Sequence, residues 1–337
     1  LGLTEGPHLY KRNGFYYLLT AEGGTEYEHA VSLARAAKLA GPYEIHPQNP
    51  ILSSSGKPEL KLQKAGHASL IETKENQWYM THLCGRPLPG TNKCNLGRET
   101  AIQKVEWRDD DWLYLNNGGN EPHEQVKPPP LEPCPWDELP NPLPFDSPHF
   151  AIPRGPSSSV IIESDGLTLI GMESLESNFE QAMLARRLTS QRLTATTKLS
   201  FQPENFQQMA GLAAYYNTYL FHYLYLSRDE EKGLCLQIHS CDDGNSTFPL
   251  GSEIVPVTGG PIYLRAIFED SSLKFQFSQD GEYFEKVGPT LDASILSDDH
   301  GKHWGFTGTF IALACQDLSG NKLPAFFHHL ETIPNAS

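Results

Sequence analysis

PHLYKRNGFYYLLTA, residues 7–21, sets the fold class. Two runs of aliphatic and aromatic residues flank Asn13-Gly14. A tight two-residue turn needs positive φ at both central positions, and Asn-Gly supplies it most readily. The stretch is therefore expected to be a β-hairpin. Outward from it, HAVSLARA (29–36), HASLIETKENQWYMTHL (67–83) and TAIQKVEWRDDDWLYL (100–115) are short runs rich in β-branched and aromatic residues. TKENQ inside the second of these is a further polar turn. Residues 30–40 carry enough alanine for a helix stopped by Gly41-Pro42, but a strand followed by a loop fits the neighbouring pattern better. Repeated short antiparallel strands over residues 1–118 point to a propeller or a sandwich.

The composition then changes. Nine prolines fall between Gly118 and Phe145: Pro122, Pro128, Pro129, Pro130, Pro133, Pro135, Pro140, Pro142 and Pro144. Proline fixes φ and lacks a donor, so residues 119–145 are expected to be an extended, semi-rigid linker. Residues 146–337 return to strand patterning, in LTATTKLSF, AGLAAYYNTYLFHYLYLS, KGLCLQIHS, PIYLRAIFE, LKFQFSQDGEYFEKV and FTGTFIALACQD. Asp280-Gly281 marks a second hairpin tip. The expected architecture is all-β, with a C-terminal β-sandwich whose two sheets bury an aromatic core.

Bulk chemistry excludes several functions. With 41 acidic against 26 basic residues the chain carries a formal charge of −15, which repels phosphate backbones. No basic cluster interleaved with aromatics offsets it, so nucleic acid is not an expected partner. No apolar run is long enough for a membrane span. Six cysteines without CxxC or zinc-site spacing are expected to be free thiols in a reducing, cytoplasmic compartment, although sequons at Asn245 and Asn335 would matter in a secretory one. The chain opens LGLTEGPH without Met or a signal sequence, already in a strand-like pattern, so a preceding portion is expected. There is no GxSxG elbow, P-loop, dinucleotide fingerprint or metalloprotease helix motif.

A few residues stand out. Glu5 in TEGPH precedes Gly-Pro, a constrained backbone that could aim a carboxyl into a pocket; a solvated surface carboxylate is the ordinary alternative. His67 in GHASL precedes an apolar strand, where a lone histidine is more often structural. Arg98 in CNLGRET suits fixed-geometry bonds to sugar hydroxyls or carboxylates, or else a surface pair with Glu99. Cys94 beside it has nothing in its sequence surroundings to lower its pKa. Phe306 in HWGFTGTF lies between glycines, where its ring could reach across a turn or pack in the core. Tyr16, Tyr17, Trp78, Trp107 and Trp112 are taken as core or wall.

Together TEGPHLYKRNGFYYLLTAEGGT, GHASLIET, CNLGRETAIQKVEW and SDDHGKHWGFTGTFIALACQD closely resemble family 43 β-xylosidases with a C-terminal β-sandwich. The resemblance extends through FEQAMLARRLTSQRLTATTKLSFQPENFQQMAGLAAYYNT and EEKGLCLQIHSCDD. It implies a five-bladed β-propeller, of which residues 1–118 are the C-terminal blades. It also implies an inverting mechanism, in which acid and base carboxyls stand roughly 6.5–9.5 Å apart around a water. Glu5 matches the family's catalytic acid, whose pKa must be raised toward working pH. His67 matches the histidine that organises the pocket and, in some members, holds a hydrated calcium. Arg98 and Cys94 match the xylose subsite, Phe306 the aromatic that closes the pocket, and Thr25 a position near it.

The family's general base and its third carboxylate precede TEGPH, so the resemblance leaves both unassigned and implies that this stretch alone lacks activity. The activity it implies is exo-release of xylose from the non-reducing end of β-1,4-xylooligosaccharides, with α-L-arabinofuranosidase side activity and no required cofactor. A homo-oligomer is compatible with it. The alternatives are a mainly α-L-arabinofuranosidase enzyme, or a non-catalytic carbohydrate-binding protein that uses the sandwich.

Overall fold

The computed structural model describes residues 2–134 and 138–335. Pro135 of the linker, and Ser337 of the second sequon, lie outside the described residues. The chain divides into two compact units, one of residues 1–87 and 98–136, the other of residues 88–97 and 137–337. The chain thus leaves the first unit after residue 87 and returns at 98, an excursion that a continuous domain over 1–118 does not contain.

The first unit is two antiparallel sheets built from consecutive strands, the construction of propeller blades. The first sheet holds β1 (Glu5–Arg12), β2 (Phe15–Glu22), β3 (Ala30–Ala36), β4 (Glu44–Ile45) and β5 (Leu52–Ser53). The second follows the order β6 (Gln63–Glu72), β7 (Trp78–Gly85), β8 (Glu99–Trp107) and β9 (Leu113–Leu115). The expected hairpin closes with Arg12 opposite Phe15, and Asn13 and Gly14 take φ of 48° and 85°. Residues 30–36 form a strand, as the sequence favoured over a helix.

The sheets share a core of Tyr17, Leu19, Val31, Leu33, Leu70, Met80, Trp112 and Leu113, among others. Burying each large apolar side chain stabilises the fold by about 1.5–3 kcal/mol. The Tyr17 ring meets Trp107 edge-on at 4.6 Å, and its hydroxyl donates to the Asp111 carbonyl at 2.5 Å. Of the tryptophans expected as core or wall, Trp112 is buried, whereas Trp78 and Trp107 are half-buried.

Residues 119–145 carry no helix or strand among the described residues. The early part lies on the first unit, where Ser53 donates to the Asn120 carbonyl at 2.8 Å and Tyr79 to that of Lys127 at 3.3 Å. Toward its end Phe145 is buried in the sandwich core.

The second unit is a β-sandwich. One sheet runs Phe150–Ala151, Ala182–Arg187, Phe310–Asp317, Gln208–Asn217, Leu220–Asp229, Gly233–Asp242 and Asn245–Thr247, with Val255–Pro256 beside Gly233–Asp242. The other runs Val160–Glu163, Gly166–Ile170, Pro324–Pro334, Arg192–Ser200, Ile262–Glu269, Ser272–Ser278 and Glu285–Asp292. Alternating inward residues, including Leu212, Leu224, Leu236, Leu264, Phe268, Phe275, Leu313 and Phe327, fill the space between them. AGLAAYYNTYLFHYLYLS, a single run by sequence pattern, is two strands. Asn217 folds the chain back by accepting from the Tyr219 N–H at 2.9 Å. Cys84, Cys235, Cys241 and Cys315 are buried free thiols.

Candidate active site

In the first unit the site begins where β1 begins. Glu5 is the first residue of β1, opposite Ala21. The pairing then shifts before His8, and this bulge at Gly6-Pro7 re-aims the chain. Gly6 has φ of 56°, and a Cβ there would lie 2.5 Å from His67 Nε2. Only glycine lets the backbone beside Glu5 come so close to that imidazole.

His67 lies inside β6 rather than before a strand, within the second of two register shifts that flank Gly66. Its φ is 50°, a left-handed conformation that a non-glycine residue adopts at a cost of about 1–3 kcal/mol. Its ring is exposed and lies parallel to that of His29, with centroids 6.4 Å apart and planes at 15°. His29 is 1 % exposed and sits over Gly66, where a Cβ would fall 1.3 Å from its ring. Burial first, then the neighbouring His67, lowers the His29 pKa to about 4, with Arg98 acting in the same direction. Arg98 thus belongs to the electrostatic surroundings of His29. His29 Nε2 is buried without a hydrogen-bond partner among the described residues.

Thr25 is half-buried in the loop between β2 and β3 that leads to His29. Next to it, Glu26 accepts from Lys64 Nζ at 3.4 Å, and Lys64 lies 5.0 Å over the Tyr27 ring. The expected alternative for Arg98, a pair with Glu99, meets competition. Arg86 holds the Glu99 carboxylate in two hydrogen bonds of 2.8 and 2.7 Å. In the first unit the backbone beside Glu5 therefore meets His67, which lies parallel to a buried His29 that Arg98 also influences. Sequence pattern missed His29, because its role comes from Gly66 and His67, far along the chain. The His-Ala start of HAVSLARA was its only local mark.

In the second unit Cys94 and Phe306 come from segments that lie backbone to backbone. A Cβ on Gly97 would fall 2.0 Å from the Thr307 carbonyl oxygen, and one on Gly308 2.3 Å from that of Leu96. Thr309 donates to the Asn95 carbonyl at 2.8 Å, and the Cys94 N–H donates to Asp299 at 2.9 Å. Phe306 has φ of 49° and is 54 % exposed, so it is not a core residue. Its N–H donates to Asp298 at 3.0 Å, and the same carboxylate accepts from the Tyr216 hydroxyl. Burial, followed by that carboxylate, raises the Tyr216 pKa far above its usual value, which keeps the hydroxyl a donor. The Phe306 ring meets Trp304 edge-on at 5.6 Å. Sequence pattern also missed Asn95. It is fully buried, and both polar atoms of its amide lack partners among the described residues. Each such atom costs about 1–3 kcal/mol unless water or a ligand meets it.

Comparison with known proteins bears on both units. The family profile "Glycosyl hydrolases family 43" matches residues 1–113, and "Beta xylosidase C-terminal Concanavalin A-like domain" matches residues 145–332. The chain is 44% identical to "Xylosidase/arabinosidase 43B" of Humicola insolens, over 98% of this chain and 63% of the relative. It is 42% identical to "Beta-xylosidase" of Bacillus subtilis strain 168, over 97% of this chain and 64% of the relative. The crystal structure of xylan beta-1,4-xylosidase from Bacillus halodurans C-125 superposes with a TM-score of 0.92 at 47% identity, covering 98% of this chain and 65% of that one. The chain spans just under two thirds of the length of each of these relatives.

Proposed function

The chain belongs to glycosyl hydrolase family 43, with propeller-type blades followed by a concanavalin A-like β-sandwich, and from this premise we propose that it serves an exo-acting, inverting β-xylosidase. The substrate is a β-1,4-xylooligosaccharide, cleaved at its non-reducing end to release xylose, with α-L-arabinofuranosides as side substrates. Glu5 protonates the leaving oxygen. Arg98, Cys94 and Thr25 bind the sugar, Phe306 closes the pocket and His67 organises it. The observation that carries this reading is the approach of Gly6 to His67 Nε2, which fixes the backbone beside Glu5 against a cluster containing His29 and influenced by Arg98.

Inversion also needs a base to activate water on the opposite face of the sugar. In this proposal the base comes from the part of the family's length that this chain does not span. Calcium takes oxygen ligands. The proposal requires no cofactor and leaves open the hydrated calcium that the resemblance allows at His67. Treatment of the full-length protein with EDTA is expected to leave its turnover within a few-fold of the untreated rate.

The name of one relative, "Xylosidase/arabinosidase 43B", gives both activities, and in a second reading arabinofuranoside is the main substrate. Rates on p-nitrophenyl β-xyloside and α-L-arabinofuranoside, measured on the full-length protein, separate the two. The proposal expects the xyloside to have the higher kcat/KM and to give α-xylose first. A much faster arabinoside, or β-xylose as first product, contradicts it.

A further inference from the structure

At the end of β1 remote from Glu5, roughly 23 Å along the strand, the first unit holds a cavity of about 740 Å³. It is walled by the β1–β2 and β6–β7 turns and by β8. Trp78 and Trp107 form one corner, ring centroids 5.6 Å apart and planes at 86°. The Trp107 indole N–H is buried there without a hydrogen-bond partner among the described residues.

The charge of this cavity runs against that of the chain. Lys11, Arg12 and Lys104 line it against Glu72 and Glu106. Glu106 is already engaged by Arg108 at 3.0 Å and Asn116 at 2.6 Å, and Arg12 stands 3.7 Å from Asp111. Lys11 lies over the Tyr16 ring at 5.3 Å, and Lys104 donates to Gln77 at 3.1 Å. Neither lysine has a carboxylate within ion-pair distance among the described residues. Glu72 also has no ion-pair partner among the described residues, so the two lysines leave a surplus of one positive charge beside the tryptophan corner, which in a chain of net charge −15 suits an anion supplied from outside.

We propose that this cavity is an accessory site for an acidic oligosaccharide. An indole corner suits the C–H face of a pyranose, side-chain amides at the rim suit its hydroxyls, and Lys11 and Lys104 take the carboxylate of a uronic acid. The choice of a sugar rests on the glycoside-hydrolase reading; the requirement for an acidic group rests on the cavity alone.

The test titrates the full-length protein carrying Glu5→Gln, which blocks turnover, with xylotriose bearing a glucuronic acid branch and with unbranched xylotetraose, by calorimetry. The acidic sugar is expected to bind at least about tenfold more tightly than the neutral one, and its affinity to fall as salt is raised. Lys11→Gln with Lys104→Gln removes that preference without changing the melting temperature, and with Glu5 intact leaves aryl β-xyloside turnover unchanged. Equal affinity for the two sugars, or a preference that survives the double substitution, overturns the proposal. So does free glucuronate binding as tightly as the branched sugar, because the cavity would then hold an anion and no sugar. Acid-selective binding in a protein that proves to lack xylosidase activity would overturn only the catalytic reading.

Discussion

β6 and the sandwich strand Leu220–Asp229 are each ten residues long, yet they pair very differently. The sandwich strand matches Gly233–Asp242 residue for residue without a register shift, and eight of its ten side chains are buried. β6 shifts register twice against β7, holds Lys64 and His67 at positive φ, and leaves the His67 ring exposed. The two strands serve different ends. A regular ladder satisfies every backbone group and maximises burial, which suits an element that only has to be stable. A bulged strand gives up pairing to point particular side chains at a ligand, and the strain must be offset elsewhere in the unit. In the first unit the shared aromatic core provides that offset.

Damage to the two regions should have different signatures. Phe268→Ala removes a fully buried ring from the sandwich and is expected to cost about 3–5 kcal/mol of stability. Denaturant unfolding measures that loss, while kcat/KM of the protein that remains folded stays within a few-fold. Gly66→Ala should damage activity in addition to stability. Its new Cβ would overlap the His29 ring, so the histidine pair must move, and a misplacement of about 1 Å lowers kcat/KM by about a hundredfold. The comparison breaks if Gly66→Ala costs only stability.

The legibility of the sequence divides along the same line. The hairpin at Asn13-Gly14 is readable because its turn chemistry is local, and alternating hydrophobic patterns locate most sandwich strands for the same reason. The Asn217 turn is less visible, since it rests on one side-chain hydrogen bond inside a continuous apolar run. The bulges of β6, the burial of His29 and the association of residues 88–97 with the second unit all depend on residues distant in sequence. No local pattern encodes them. The motif resemblance pointed to Glu5, His67 and Arg98, but not to His29, which lies parallel to His67, or to the buried Asn95 of the second unit.

Acid sharpens the contrast next. His29 and His46, both in the first unit, have pKa values lowered to about 4, chiefly by burial. Between an unfolded pKa near 6.5 and about 4 the unfolded chain therefore binds protons that the native state refuses. Stability contributed by the neutral histidines is fully present above that window and is lost as pH falls through it. The slope is about 1.4 kcal/mol per pH unit for each histidine. Urea unfolding at several pH values, with and without His29→Gln, should show a shallower acid loss in the variant. An unchanged slope would mean that His29 is not held neutral by burial.

Asp298→Asn gives a smaller effect still. It weakens the acceptor shared by the Tyr216 hydroxyl and the Phe306 N–H, which pin the exposed Phe306 in its left-handed conformation. KM is expected to rise by about three- to tenfold with kcat little changed, the pattern of lost binding rather than lost chemistry. A matching fall in kcat would place the loop in the chemical step.

The central claim is that Glu5 is the proton donor, and leaving-group dependence tests it most directly. The full-length protein and its Glu5→Ala variant are compared on an aryl β-xyloside with an acidic phenol and on xylobiose, whose leaving sugar needs protonation. The account predicts a loss of about 10²–10⁴-fold in kcat/KM on xylobiose and only a small loss on the activated aryl xyloside. Equal losses on both substrates, or a merely few-fold loss on xylobiose, would contradict it.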